Sequence, residues 1–216
     1  MKVTIKPEVF QKLHPKFRVA IILAKDLDNK NRVKETNHLL KEVEKMVLMT
    51  FNKDTIRTHD LVAPWTIVRQ QFGKKTTHYH TSVEQLLKKV LQHQKIEAKD
   101  TITAVVRYLS LKHIIPVGVD DPAKLNGDIS FEMKNGDLWY RDAKKMLGKK
   151  LDYWKNPRAA LKQTSTSALI HFEFLPPISP AKQKEIVKEA KEVVQLFCGG
   201  NVKVLILDKK NNSGVI

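Results

Sequence analysis

Two stretches of the chain are apolar almost without interruption, and both are short. Residues 17–24 read Phe-Arg-Val-Ala-Ile-Ile-Leu-Ala, and residues 168–175 read Ala-Leu-Ile-His-Phe-Glu-Phe-Leu. A bilayer span needs about 20 consecutive apolar residues, so runs of this length predict buried strands instead. Asp28-Asn29 follows the first run as a turn, and Pro176-Pro177 breaks the second. A chain of 216 residues can cover such strands, because at this size roughly 70% of the unfolded surface is buried on folding. The single cysteine, Cys198, cannot pair within the chain, which excludes a disulfide scaffold and suits a reducing compartment. Met1-Lys2 runs straight into polar residues without the apolar segment of a signal peptide. The expectation is a soluble cytoplasmic protein with no membrane partner.

The remaining patterns mix helices and strands. Leu39, Leu40, Val43, Met46 and Val47 recur at helical spacing and predict an amphipathic helix over residues 33–49. Residues 50–81 have no clean period and read as an irregular connection carrying a short helix. Ser82-Val83-Glu84-Gln85 fits a capping box, and Val83, Leu86, Leu87, Val90 and Leu91 line one face of the helix it starts. Residues 101–111 combine strand formers with Arg107, Tyr108 and Ser110 and leave helix and strand both open. Residues 116–122 read as a rigid, turn-rich loop, 129–133 as a strand, and Asn135-Gly136 as a hairpin turn. Residues 141–167 are polar and basic. Ser179 caps a helix with Pro180 in its first position, Gly199-Gly200 ends it, and 202–207 is a closing strand. Strands and helices mixed without strict alternation predict an α+β fold: one compact domain of mixed sheets with flanking amphipathic helices over residues 1–208, followed by a polar tail at 209–216.

Lys and Arg number 39 against 23 Asp and Glu, a formal net charge of +16. Self-repulsion of that size opposes compaction, so it calls for either a polyanionic partner or simply a solvated lysine-rich surface. The basic residues are spread as pairs such as Lys74-Lys75, Lys88-Lys89 and Lys144-Lys145, with acids between them, so no polybasic arm is present. The phosphates of a structured RNA fit that distribution, with binding that weakens steeply as salt rises. No phosphate-binding Gly-rich loop and no dinucleotide fingerprint occurs. His78-Tyr79-His80 has two histidines at strand spacing, but no acid or cysteine nearby completes a zinc set. No metal and no cofactor is expected, and Cys198 reads as core packing.

The more informative residues are acids in apolar settings. Strand alternation puts His171 and Glu173 on one face and Ile170, Phe172 and Phe174 on the other. Either the Glu173 face is exposed or the carboxylate has a partner or ligand, because burying it alone costs several kcal/mol. Asp120-Asp121 beside Gly118 reads as an Asx turn, or as a site for an amine or cation.

The order Pro64-Trp65, Phe72-Gly73-Lys74-Lys75, Ser82-Val83-Glu84-Gln85-Leu86-Leu87, Pro116-Val117-Gly118-Val119-Asp120-Asp121 and Lys124-Leu125-Asn126-Gly127-Asp128-Ile129 resembles the stand-alone B3/4 domain proteins. These are relatives of the tRNA-editing domain in the beta subunit of phenylalanyl-tRNA synthetase, and the likeness spans residues 15–207. It implies a pocket for the aminoacyl group on the 3′ acceptor end of a tRNA, and hydrolysis of a wrongly attached amino acid in trans. By motif order Glu173 matches the glutamate that reads the amino acid side chain, with Tyr79, Gly118, Asp120 and Asp121 placed as substrate-binding residues. His80 or His78 would hold the attacking water or polarise the carbonyl, and Lys74, Lys75, Lys88, Lys89, Lys155 and Arg158 would hold tRNA phosphates. The chain departs from the family at Ala104 and Arg107, where an Asp and an Asn are common, and in the reduced stretch Tyr153-Trp154-Lys155-Asn156-Pro157-Arg158. The Ala104 and Arg107 departures allow one alternative, a non-catalytic tRNA- or RNA-binding module of the same fold; a second is a binder of free amino acids whose positive charge merely reflects its host.

Overall fold

The computed structural model describes residues 1–72, 80–149 and 157–216. Among these, nine strands form two sheets and six helices pack beside them, an α+β architecture. The strands are β1 (Lys2–Ile5), β2 (Arg18–Lys25), β3 (Val117–Asp120), β4 (Ile129–Lys134), β5 (Asp137–Arg141), β6 (Met146–Lys149), β7 (Ser167–Phe174), β8 (Asn201–Leu207) and β9 (Ser213–Val215). The helices are α1 (Pro7–Lys12), α2 (Val33–Thr50), α3 (Ala63–Gln70), α4 (Ser82–Leu91), α5 (Thr101–His113) and α6 (Pro180–Cys198). One sheet runs β6-β5-β4-β1-β9 and the other β3-β7-β2-β8.

The two apolar runs are neighbours. β2 pairs antiparallel with β7 from Arg18 opposite Phe174 to Lys25 opposite Ser167. Their sheet is covered on both faces, which is why neither strand alternates with polar residues. Val19, Ile21, Leu23 and Leu169 pack toward Phe131, Leu138 and Tyr140 of the other sheet. Ala20, Ile22, Ala24, Ile170, Phe172 and Phe174 pack under α5 and α6 through Val105, Leu109, Ile186 and Val194. A third cluster joins α2, α4 and α5 through Leu40, Val43, Leu87 and Leu111. Each such side chain, taken fully from water, contributes about 1.5–3 kcal/mol.

Most expected elements form, with instructive shifts. Asn135 and Gly136 turn the β4–β5 hairpin at φ 51° and 78°, the left-handed pair that a two-residue connection requires. Ser179 accepts a hydrogen bond from the Lys182 amide at 3.1 Å and starts α6. The α4 capping box sits one residue earlier than expected: Thr81 is the cap, and Glu84 closes the box by accepting from the Thr81 amide at 2.9 Å. Residues 101–111 are helical, because Asp100 caps the Thr103 amide at 2.9 Å and the β-branched residues bury against the sheet. The loop expected at 116–122 is mostly a strand, β3, added to the edge of β7. The tail expected at 209–216 is not a tail. Ser213–Val215 forms β9, paired antiparallel with β1, and Ile216 donates to the Met1 carbonyl at 3.0 Å. Three isolated residues carry too little pattern to mark a strand. No helix is long and apolar enough to cross a membrane among the described residues.

Candidate functional site

β3 is the edge strand against which the candidate site is built. Its entry is fixed from two sides: Ser110 Oγ donates to the Ile115 carbonyl at 2.7 Å, and the Val117 amide donates to Ser82 Oγ at 3.0 Å. The Glu173 amide donates to the Pro116 carbonyl at 3.1 Å, so Gly118 lies opposite His171 in the ladder. The flanking Val117 and Val119 therefore turn their backbone groups away from β7. A cleft of ≈ 740 Å³ runs along that edge, bounded by α4, α5 and residues 160–161. Its wall includes Gly118, Ser82 and Leu161, and its rim carries Lys89, Lys99 and Arg107.

Behind Gly118 lies a buried polar layer between the sheets. His171 is 1% exposed and Glu173 3%. His171 Nδ1 lies 2.6 Å from Glu173 Oε1. Burial disfavours a charged imidazole, but the Glu173 hydrogen bond and charge, with help from Asp120, outweigh it and raise the His171 pKa. Nδ1–H therefore donates to a carboxylate. The Tyr140 ring packs on the imidazole with centroids 5.1 Å apart, and Tyr140 Oη donates to Asp120 Oδ2 at 2.7 Å. Burial, then Asp120, pushes the Tyr140 pKa well up, so the phenol stays protonated and serves as a donor. A Cβ built on Gly118 would stand 2.2 Å from both Cε1 and Nε2 of His171. Glycine at 118 is thus what lets the imidazole sit directly behind the cleft wall.

The two acids at the end of β3 have separate duties. Asp120 is buried and belongs to the Tyr140 arrangement. Asp121 makes the expected Asx turn, accepting from the Ala123 amide at 3.1 Å, and also accepts from Ser165 Oγ at 2.7 Å. Asp121 thereby anchors the segment preceding β7 to the end of β3.

His80 is held in a different cluster, at the start of α4. Arg69 NH1 lies 3.0 Å from its Nδ1, Lys88 Nζ lies 2.7 Å from its Nε2, and both sit beside the buried Glu84. Arg69 NH2 is 3.3 Å from Glu84 Oε1, close enough for Coulomb attraction though not aligned as a hydrogen bond. His80 does not line the cleft. Of the cationic residues singled out in the sequence, Lys89 lies at the cleft, Lys88 in the His80 cluster, and Arg158 exposed in a 3-10 turn. Lys74, Lys75, His78, Tyr79 and Lys155 lie outside the described residues.

The site also draws on residues that the sequence marks weakly or not at all. His171 was noticed only as sharing a face with Glu173, although a His and a Glu two apart on one strand is itself the signal of a paired set. Tyr140 and Lys99 gave no signal. Arg107 lines the cleft and donates to the carbonyls of Ile96 and Glu97 at 2.9 and 2.8 Å. Cys198 is buried with its thiol pushed up to about 12 by burial, consistent with packing rather than chemistry. Among the described residues no three His, Cys, Asp or Glu side chains converge as a metal site. No known protein family matches the chain, and no curated protein matches it.

Proposed function

We propose that the chain is an RNA-binding protein acting on aminoacyl-tRNA, a trans-editing deacylase that hydrolyses the ester of a mischarged tRNA. The observation that carries this reading is a buried carboxylate–imidazole pair, Glu173 and His171, directly behind a glycine that lines a cleft with a cationic rim. An aminoacyl ester is already activated, so its hydrolysis needs a positioned water, a donor to the developing oxyanion and a fitted pocket more than covalent machinery. Lys89, Lys99 and Arg107 supply charge for the phosphates of the acceptor end. In this reading the amino acid side chain lies against the Gly118 backbone, with the Glu173–His171 pair behind that wall rather than in the cleft lining, and the outward amide and carbonyls of β3 offer partners for its ammonium and ester groups. Selectivity then comes from how the buried pair holds the shape of that wall.

The test is a panel of mischarged tRNAs incubated with excess protein at low salt. Release of at least one amino acid, with Glu173→Ala changing which one is released more than it changes tRNA affinity, is the expected result. Retention of every ester refutes the enzyme. Arg107 favours a second reading, a non-catalytic tRNA-binding module, since a guanidinium replaces a neutral amide in the cleft. In that case tRNA binds with a steep salt dependence while charged tRNA keeps its amino acid.

A further inference from the structure

Two sheets have four edge strands, and three of these four are managed in ways that discourage pairing with another chain. β9 is only three residues long. β6 is four residues long and is paired to β5 across a bulge at Tyr140 and Arg141. β3 is four residues long, and the Asp121 amide at its end is taken by the Ala159 carbonyl. β8 is different. Its seven residues, Asn-Val-Lys-Val-Leu-Ile-Leu, hold no proline, no glycine and a single charge, Lys203. Its register with β2 runs without a bulge from Leu207 opposite Val19 to Asn201 opposite Lys25. Among the described residues no strand pairs with its outer edge, and Val204 at its centre is 40% exposed.

We propose that this edge is a docking site for an extended, acidic segment of a protein partner, which joins the sheet as a further strand beside β8. Strand addition of this kind takes its affinity from backbone hydrogen bonds and its selectivity from alternate side chains. The charge that selects acids here comes from α6. Glu189 of α6 meets Lys112 at 2.7 Å and His113 at 3.2 Å, so that flank of the helix is turned to α5. Lys184, Lys188 and Lys191 recur at i, i+4 and i+7 on the opposite flank, and all three are exposed. α5 packs beside β3 at one edge of the sheet, and α6 packs over β2 and β8 at the other. The lysine stripe therefore stands along the β8 edge.

The spacings of helix and strand agree. The chain turns at Gly199-Gly200 and β8 runs back under α6. Lys191 lies seven residues before the end of the helix and Val204 three residues into the strand, so each is about 10 Å from the turn. Val202, Val204 and Ile206 share the face that α6 covers, since their partners Ala24, Ile22 and Ala20 pack there. An added strand thus presents alternate residues to the lysines, where carboxylates fit. Of the three lysines, Lys188 has a carboxylate nearby on its own helix, Glu192 at 3.9 Å, with both side chains largely in water. A second copy of the chain fits less well, because twofold pairing through β8 sets one lysine stripe against the other. The inference stands apart from the tRNA reading and survives its failure.

The experiment titrates the whole protein with the capped decapeptide of alternating glutamate and valine and follows the amides of residues 201–207 by hydrogen exchange. Alternate β8 amides, those on the outer edge, should exchange about tenfold more slowly at nine-tenths occupancy, because only the unbound tenth exchanges. A glutamate decamer carries more charge but has little strand propensity, and it should leave those amides unprotected. Lys184→Glu combined with Lys191→Glu, both exposed changes, should weaken binding of the alternating peptide at least about tenfold while Tm stays the same. Binding without protection of β8, equal protection by the glutamate decamer, or an affinity indifferent to the lysine reversals overturns the proposal. So does protection of the same amides by tRNA alone, which assigns the stripe to nucleic acid, or by self-association seen in sedimentation without peptide, which assigns the edge to a second copy.

Discussion

Replacing Gly118 with alanine isolates the contact on which the site depends. The residue has no left-handed backbone to protect, so the substitution tests space alone. The new methyl would fall 2.2 Å from two ring atoms of His171, where real side chains do not approach. The ring cannot move freely, because Nδ1 is bonded to Glu173 at 2.6 Å and Tyr140 packs on its face. Overpacking of this kind costs about 1–3 kcal/mol. Full separation of a buried ion pair costs about 3–5 kcal/mol, and partial separation adds a fraction of that. A destabilisation of about 3 kcal/mol is therefore expected, seen as a fall in Tm of about 6–12 °C for a chain of this size. The control is a double-mutant cycle with His171→Ala, read by urea unfolding. Once the imidazole is gone its space accepts the methyl, and Gly118→Ala should cost less than about 0.5 kcal/mol. An equal cost in both backgrounds, or a negligible cost in the wild type, would refute the assignment of Gly118 as the space that seats His171.

Glu84 gives the acid limb of stability. Burial pushes its carboxyl up, but the His80 imidazole, the Thr81 amide and Arg69 outweigh that and hold it below its ordinary value of 4.5. A depressed carboxyl contributes stability that is present above the unfolded value and lost as pH falls through the folded one. Glu84→Gln should thus be less stable than wild type at pH 7, with the gap narrowing as pH falls below about 4.5; a gap that persists unchanged at pH 2 counts against it. Truncation after Asp208 tests the closing strand. It removes the Ile5 amide bond to Asn212, the Asn212 side-chain bond to Ile5 and the Ile216 amide bond to Met1, at about 1 kcal/mol each. A urea midpoint unchanged by the truncation would mean that β9 contributes nothing.

What could be read from the sequence follows from how much each segment buries. β2 and β7 were legible because both of their faces are covered, so their composition is apolar without a period. α6 was legible at both ends, since Ser179, Pro180 and Gly199 each have one dominant use. β3 was not, because Pro116, Gly118 and Asp121 are turn formers, and only β7 alongside makes them a strand. β1 and β9 escaped for the same reason: they are short and exist only because they pair with each other and with β4. Within the site, Glu173 stood out as an acid among phenylalanines, and its burial answers the question the alternation left open. Tyr140 could not be found, since a strand tyrosine looks alike whether its hydroxyl meets water or Asp120. The sequence offers His80 as a holder of the attacking water, since nothing in it ties that residue to Arg69, eleven residues earlier, which reaches its ring.

The position of β1 bears on how the protein is made. Residues 2–5 emerge from a ribosome before either of the strands that flank them, β4 and β9. Lys2 bonds to Asp128 across 126 residues, and Met1 meets Ile216 across 215. β2 and β7 can pair before Ser213–Val215 is made, whereas β1 gains its β4 side only with Ile129–Phe131 and its second side only with β9.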